Sequence, residues 1–226
     1  MKYKGFLLDI DDTIYDYTSA NKIALDNVVQ FCKTEFNLDE NVVRNAYMQA
    51  RNKTHFILQG TGSSHNRLLY IQKMLEDLGI NPLRYGLQIY NIYWDTFLVN
   101  MQIFPFVDEF FDKFGEQVCF VTDLTSHIQF RKIQQLGLAD KVKHIVTSEA
   151  TGHEKPHPFM FLQGLQKLSL PIEQVCMIGD SVEKDILGAR NIGLDAFWLN
   201  LANKKSEYND KGIIEIHTFS DLKNYL

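Results

Sequence analysis

Short apolar runs closed by polar or acidic residues recur along this chain. The first is "GFLLDI", residues 5–10, and five more follow: "QVCFVTD" (117–123), "VKHIVTS" (142–148), "QVCMIGD" (174–180), "LDAFWLN" (194–200) and "GIIEIHTF" (212–219). Each has the length of a strand and is almost continuously apolar, which suits a parallel sheet buried on both faces. Between them the apolar spacing changes to that of helices: Phe161, Leu165 and Leu168 in one segment, Ile186, Ala189 and Ile192 in another, with Gly137 and Gly193 as stops. Strand and helix alternate, and the pattern predicts an α/β fold, a doubly wound Rossmann-like parallel sheet.

Residues 18–100 break the alternation. The segment reads as helices only: one after Ser19, one over Val42–Ala50, one marked by Leu68, Ile71, Leu75 and Leu78 and stopped at Gly79, and one carrying Leu87, Tyr90, Trp94 and Phe97. We read it as an inserted α-helical bundle, with junctions near Tyr15–Thr18 and near Ile103–Val107, where Pro105 ends any continuing helix. The expected domains are thus a core of residues 1–17 with 101–226 and a helical insertion of residues 18–100.

Composition narrows the function class. With 226 residues, 45% hydrophobic and 23% charged, the chain is an ordinary globular one, and no run approaches the ~20 apolar residues of a membrane span. The N-terminus passes straight from an apolar run into acids, without a signal-peptide cleavage site, so a cytoplasmic location is expected. A net charge of -5 lacks the basic excess of a nucleic-acid binder, and small molecules are the expected partners. Cys32, Cys119 and Cys176 are far apart in sequence and set among apolar residues, as reduced core cysteines are.

Candidate chemistry sits where the strands end, as expected of ligand sites in open α/β sheets. The first strand runs into Asp9, Asp11, Asp12 and Thr13, the second into Thr122 and Asp123, and the fourth into Gly179, Asp180 and Ser181, with Asp185 a turn later. Acids gathered at one sheet edge repel one another unless a cation joins them, and carboxylate oxygens suit a hard ion such as Mg2+. Lys155, in "GHEKPHP", offers the positive charge that a bound phosphate needs. Each feature alone has a plainer reading, as a solvated turn, a capping hydroxyl or a surface lysine. It is the ordered set that carries the argument.

The sequence "DIDDT", then "FVTD", a lysine in "EKPHP" and finally "GDSVEKD" resembles the four-motif signature of the haloacid dehalogenase superfamily of hydrolases, across residues 4 to about 200. A helical insertion after the first motif is what members with a small helical cap look like. The resemblance implies a Mg2+-dependent phosphatase of small phosphomonoesters. Asp9 matches the nucleophile that forms an aspartyl-phosphate, and Asp11 the acid/base. Thr122 matches the phosphate-binding hydroxyl, and Lys155 the cation that steadies nucleophile and phosphate. Asp9, Asp180 and the backbone carbonyl of Asp11 match the metal contacts, and Asp185 the last acid of the motif behind them. The residue after Thr122 departs from the pattern: relatives more often have asparagine where this chain has Asp123, whose charge would modestly disfavour anionic substrates. The backbone amide at Asp123 would still bind phosphate.

Several alternatives share these residues. A phosphomutase would pass the aspartyl-phosphate to a second sugar hydroxyl. A dehalogenase looks different at Asp11 and needs no metal. A receiver-type signalling module is about half this length and has no helical insertion. Substrate choice falls to the cap, where "QGTGSSHNR", residues 59–67, reads either as a turn capping the next helix or as a substrate-selecting loop through His65 and Arg67. A monomer or weak homodimer is expected.

Overall fold

The computed structural model describes residues 2–205 and 210–226. Its strands are β1 (Gly5–Leu8), β2 (Val118–Thr122), β3 (His144–Thr147), β4 (Val175–Gly179), β5 (Asp195–Leu199) and β6 (Ile213–Ile216). They form one six-stranded sheet in the order β3-β2-β1-β4-β5-β6, with every neighbouring pair parallel. This is the α/β, Rossmann-like architecture expected from the pattern. Each strand is shorter than the run that predicts it, by one or more residues at its ends.

The chain divides into two compact units, Met1–Asp16 with Ile103–Leu226, and Tyr17–Gln102. The second unit holds helices α1 (Tyr17–Phe36), α2 (Glu40–Ile57), α3 (Arg67–Asp77) and α4 (Pro82–Val99). Asp39, Asn66 and Asn81 each cap the helix that follows by accepting a backbone N–H two residues on. Ala24, Val28, Tyr47, Ile71, Met74, Ile89, Trp94 and Phe97 fill its interior.

In the first unit the sheet is flanked by α5 (Val107–Phe114), α6 (Ser126–Gln135), α7 (Ser148–Thr151), α8 (Pro158–Leu168) and α9 (Leu187–Arg190). Successive residues of β1 serve opposite faces, as the two-residue period requires. Phe6 packs edge-on against Phe110 and tilted against Phe114 of α5. Leu7 joins Val121, Met160, Phe161 and Met177 in the cluster under α8. Gly164 in α8 permits this approach, since a Cβ there would stand 2.7 Å from Leu7 Cδ2. The three cysteines are free thiols buried in the packing, and burial pushes Cys32 and Cys119 up to about 12.

One helix differs from its sequence pattern. The stretch with Ile186, Ala189 and Ile192 opens as a π-helical turn over Val182–Ile186 and continues as α-helix only to Arg190. The wide turn carries Asp185 back beneath the end of β4, where its Oδ2 accepts the Ser181 N–H at 3.0 Å. Among the described residues no helix is long and apolar enough to cross a membrane.

Candidate active site

β1 is hydrogen-bonded to β2 on one side and β4 on the other, so the ends of these three strands open on one crevice, the position at which doubly wound sheets bind ligands. Asp9 follows β1 directly, and its N–H still donates to Ile178 of β4 at 3.0 Å. The backbone that carries this carboxylate is therefore fixed by the sheet. The carboxylate is also buried, and its Oδ1 accepts from Lys155 Nζ at 2.6 Å.

Lys155 is shared: its Nζ also lies 2.7 Å from Asp185 Oδ1. Burial opposes the charge on Lys155, yet Asp185, Asp9 and Asp123 together hold its ammonium well above the usual lysine range. Asp9 shifts upward as well, through burial first and then the neighbouring carboxylates Asp185, Asp180 and Asp11, against the pull of Lys155. Asp180 is pushed up to about 7, by burial and then by Asp185. One oxygen each of Asp9, Asp180 and Asp185 come within 4.8 Å of one another.

Three carboxylates thus share a buried space with one ammonium. An all-oxygen donor set with surplus negative charge fits a hard divalent cation such as Mg2+. Gly179 is part of the construction: a Cβ at that position would stand 2.4 Å from Asp185 Oδ2 and 2.6 Å from its Cβ, so only glycine lets Asp185 tuck under the strand end. Thr13 Oγ1, fully buried, lies 3.5 Å from both Asp9 Oδ2 and Asp180 Oδ1, so its one hydrogen can be donated to either acid.

The remaining strand-end residues take different places. Thr122 is buried, and its Oγ1 accepts from Gln129 Nε2 at 2.6 Å. That bond leaves the threonine hydrogen to be donated elsewhere. Asp11 does not join the three-carboxylate cluster: Lys132 Nζ holds its two oxygens at 2.7 and 2.9 Å, and Tyr15 donates its hydroxyl to Oδ1. Asp12 turns the chain with φ 55°, a left-handed conformation that aspartate tolerates.

Asp123 has both oxygens engaged, accepting from the Lys155 backbone N–H at 2.8 Å and from Lys184 Nζ at 2.9 Å. Its charge is therefore balanced by Lys184, and its carboxylate braces the segment that presents Lys155.

His65 and Arg67 belong to the helical unit. Arg67 is buried there, donating to Tyr93 Oη at 3.3 Å, to the His65 carbonyl at 2.7 Å and to Tyr17 Oη. The rings of Tyr17, Tyr70, Tyr93 and Trp94 surround its guanidinium at 5.4–5.9 Å. The His65 ring stands edge-on to His55 at 4.7 Å, and Asn66 caps α3.

The family model of haloacid dehalogenase-like hydrolases matches residues 3–193. The chain belongs to the haloacid dehalogenase-like hydrolases. As a member of this family it is an enzyme, and phosphatases stand among its relatives. It is 33% identical over 195 residues to a ribulose-1,5-bisphosphate 5-phosphatase of Halopiger xanaduensis, covering 84% of this chain and 81% of that one. It is 26% identical over 228 residues to a glyceraldehyde 3-phosphate phosphatase of Pyrococcus furiosus, covering 95% and 90%. In fold it matches the magnesium-bound putative HAD-hydrolase YfnB of Bacillus subtilis, with a TM-score of 0.74, 24% identity and coverage of 100% and 99%.

Gln129, Lys132, Lys184 and Tyr15, whose side chains hold Thr122, Asp11 and Asp123, were not singled out as site residues from the sequence. Gln129 and Lys132 carry a usable signal, since both fall on the face of α6 that buries Ile128 and Ile133. Polar side chains on a buried helical face must have partners.

Proposed function

We propose that this hydrolase is a Mg2+-dependent phosphatase of small phosphorylated metabolites, acting through an aspartyl-phosphate on Asp9. The observation that carries the reading is the buried Asp9 carboxylate at the end of β1, 2.6 Å from Lys155 and clustered with Asp180 and Asp185. The phosphatase names of its relatives support it.

An oxygen of Asp9 attacks phosphorus while the bond to the leaving oxygen breaks, and that oxygen takes a proton from Asp11. Water then attacks the phosphorus of the acyl phosphate and gives a proton to Asp11. Inorganic phosphate leaves and Asp9 is regenerated. Lys155 balances charge on Asp9 and on the phosphoryl oxygens, while the Thr122 hydroxyl and the Asp123 backbone amide bind those oxygens. Mg2+ would be held by Asp9, Asp180 and the Asp11 carbonyl, with Asp185 in the same cluster, and would supply the screening that lets one anion approach another. The two named relatives act on a sugar bisphosphate and a triose phosphate, which favours phosphorylated sugars as the substrate class.

The test is phosphate release from a panel of sugar phosphates, nucleoside monophosphates and sugar-acid phosphates, with Mg2+ and with excess EDTA. Release that depends on Mg2+ and is greatest with sugar phosphates is expected. Undiminished activity in EDTA would remove the metal from the account.

A further inference from the structure

Lys132 is a lysine with none of its side chain exposed, and its ammonium grips both oxygens of a carboxylate that is itself 26% exposed. Burying an ammonium is expensive, and a surface staple between helix and loop would not require it. The lysine rises from the last turn of α6, whose buried face also holds Ile128, Gln129 and Ile133, and reaches the loop after β1. Tyr15, fully buried, donates to the same Asp11 Oδ1, and is pinned by backbone bridges to Asp11 and to Ile103. Two ordered donors on a single carboxylate define where its oxygens stand.

We propose that Lys132, with Tyr15, is the positioning residue for Asp11. The inference rests on the reading of Asp11 as the group that protonates the leaving oxygen. Asp11 is not one of the three carboxylates that cluster beside Asp9. Lys132 holds both of its oxygens, and the ammonium also balances the carboxylate left on Asp11 once the leaving oxygen has taken its proton. α6 thereby supports two parts of the site from one face: Gln129 orients Thr122, and Lys132 orients Asp11, three residues on.

A residue that acts through the proton donor is distinguished from a simple staple by the leaving group. kcat/KM reports only the steps through departure of the alcohol, so it isolates the proton transfer from later hydrolysis of the intermediate. We therefore compare an alkyl phosphate, whose leaving oxygen needs a proton, with dinitrophenyl phosphate, whose phenolate leaves without one. For Lys132→Met, kcat/KM should fall ~10-fold or more on the alkyl phosphate and less than ~3-fold on dinitrophenyl phosphate. Tyr15→Phe, which keeps the ring in place, should show the same selectivity at smaller size and serves if Lys132→Met does not fold. Asp11→Asn is the control and should show the largest selective loss. Selective loss for Asp11→Asn but equal losses on both substrates for the Lys132 and Tyr15 variants would overturn the positioning role. Equal losses for Asp11→Asn itself would instead overturn the assignment of Asp11 as proton donor.

Discussion

Lys155 Nζ stands 2.6 Å from Asp9 Oδ1, with 3% and 9% of the two side chains exposed. The pair is desolvated, so the lysine is matched to the acid and to whatever charge the acid carries onward. Replacing Lys155 by methionine leaves three carboxylates without their ammonium. kcat/KM for any phosphomonoester should fall by at least ~10²-fold, the scale for one lost electrostatic group. Steady-state kinetics on folded Lys155→Met would show it, and a loss under ~3-fold would remove Lys155 from the chemistry.

Gly179 and Asp185 are linked by space. With a Cβ 2.4–2.6 Å from the Asp185 side chain, Gly179→Ala must push that acid out from under β4. The sheet core is untouched, so the expected outcome is a drop in kcat/KM of about 10-fold or more, from misplacement of the acids around Asp9, with a higher Mg2+ requirement. A Mg2+ titration of activity checks this. An unchanged titration would mean that Asp185 is not part of the metal site.

Asp180 is held up to about 7 against an ordinary value of 3.8. Between those two values the native protein binds more protons than the unfolded chain, so this group makes stability fall as pH rises from about 4 to about 7. In excess EDTA, Asp180→Asn should therefore raise Tm at pH 8, on the order of 5 °C, and the gain should shrink as pH is lowered toward 4. Thermal melts of both proteins across that range test it. No gain at pH 8 would mean that burial and the neighbouring Asp185 do not disfavour the Asp180 carboxylate.

Arg67 has its guanidinium engaged by two phenols, a carbonyl and four aromatic rings. Arg67→Met removes these cation–π and hydrogen-bond contacts, and a loss of about 1–3 kcal/mol is expected, or roughly 2–4 °C in Tm per kcal/mol. A Tm within 1 °C of wild type, by differential scanning calorimetry, would contradict this packing role.

The strands, their order along the chain and the acids at their ends were legible in the sequence because short, near-continuous apolar runs closed by polar residues suit strands buried on both faces. "QVCFVTD" and "QVCMIGD" are examples: β2 and β4 lie inside them, buried throughout. The π-helical turn at Val182–Ile186 was not legible, since its apolar spacing is that of an α-helix and the widening follows from where Asp185 must go. Lys132 was missed for a related reason. Its partner Asp11 lies 121 positions away, and only the sheet brings the two elements together. Arg67 was visible as a cation in a turn, but a turn's sequence does not say which aromatic rings will close around it.

The central claim is that Asp9 carries the phosphoryl group. Acid quenching during steady-state turnover, followed by digestion and mass spectrometry, reads this directly. The account predicts a phosphate adduct on the peptide containing Asp9, lost on treatment with hydroxylamine as an acyl phosphate is and absent from Asp9→Asn. A phosphate found on another residue, or wild-type turnover by folded Asp9→Asn, would contradict it.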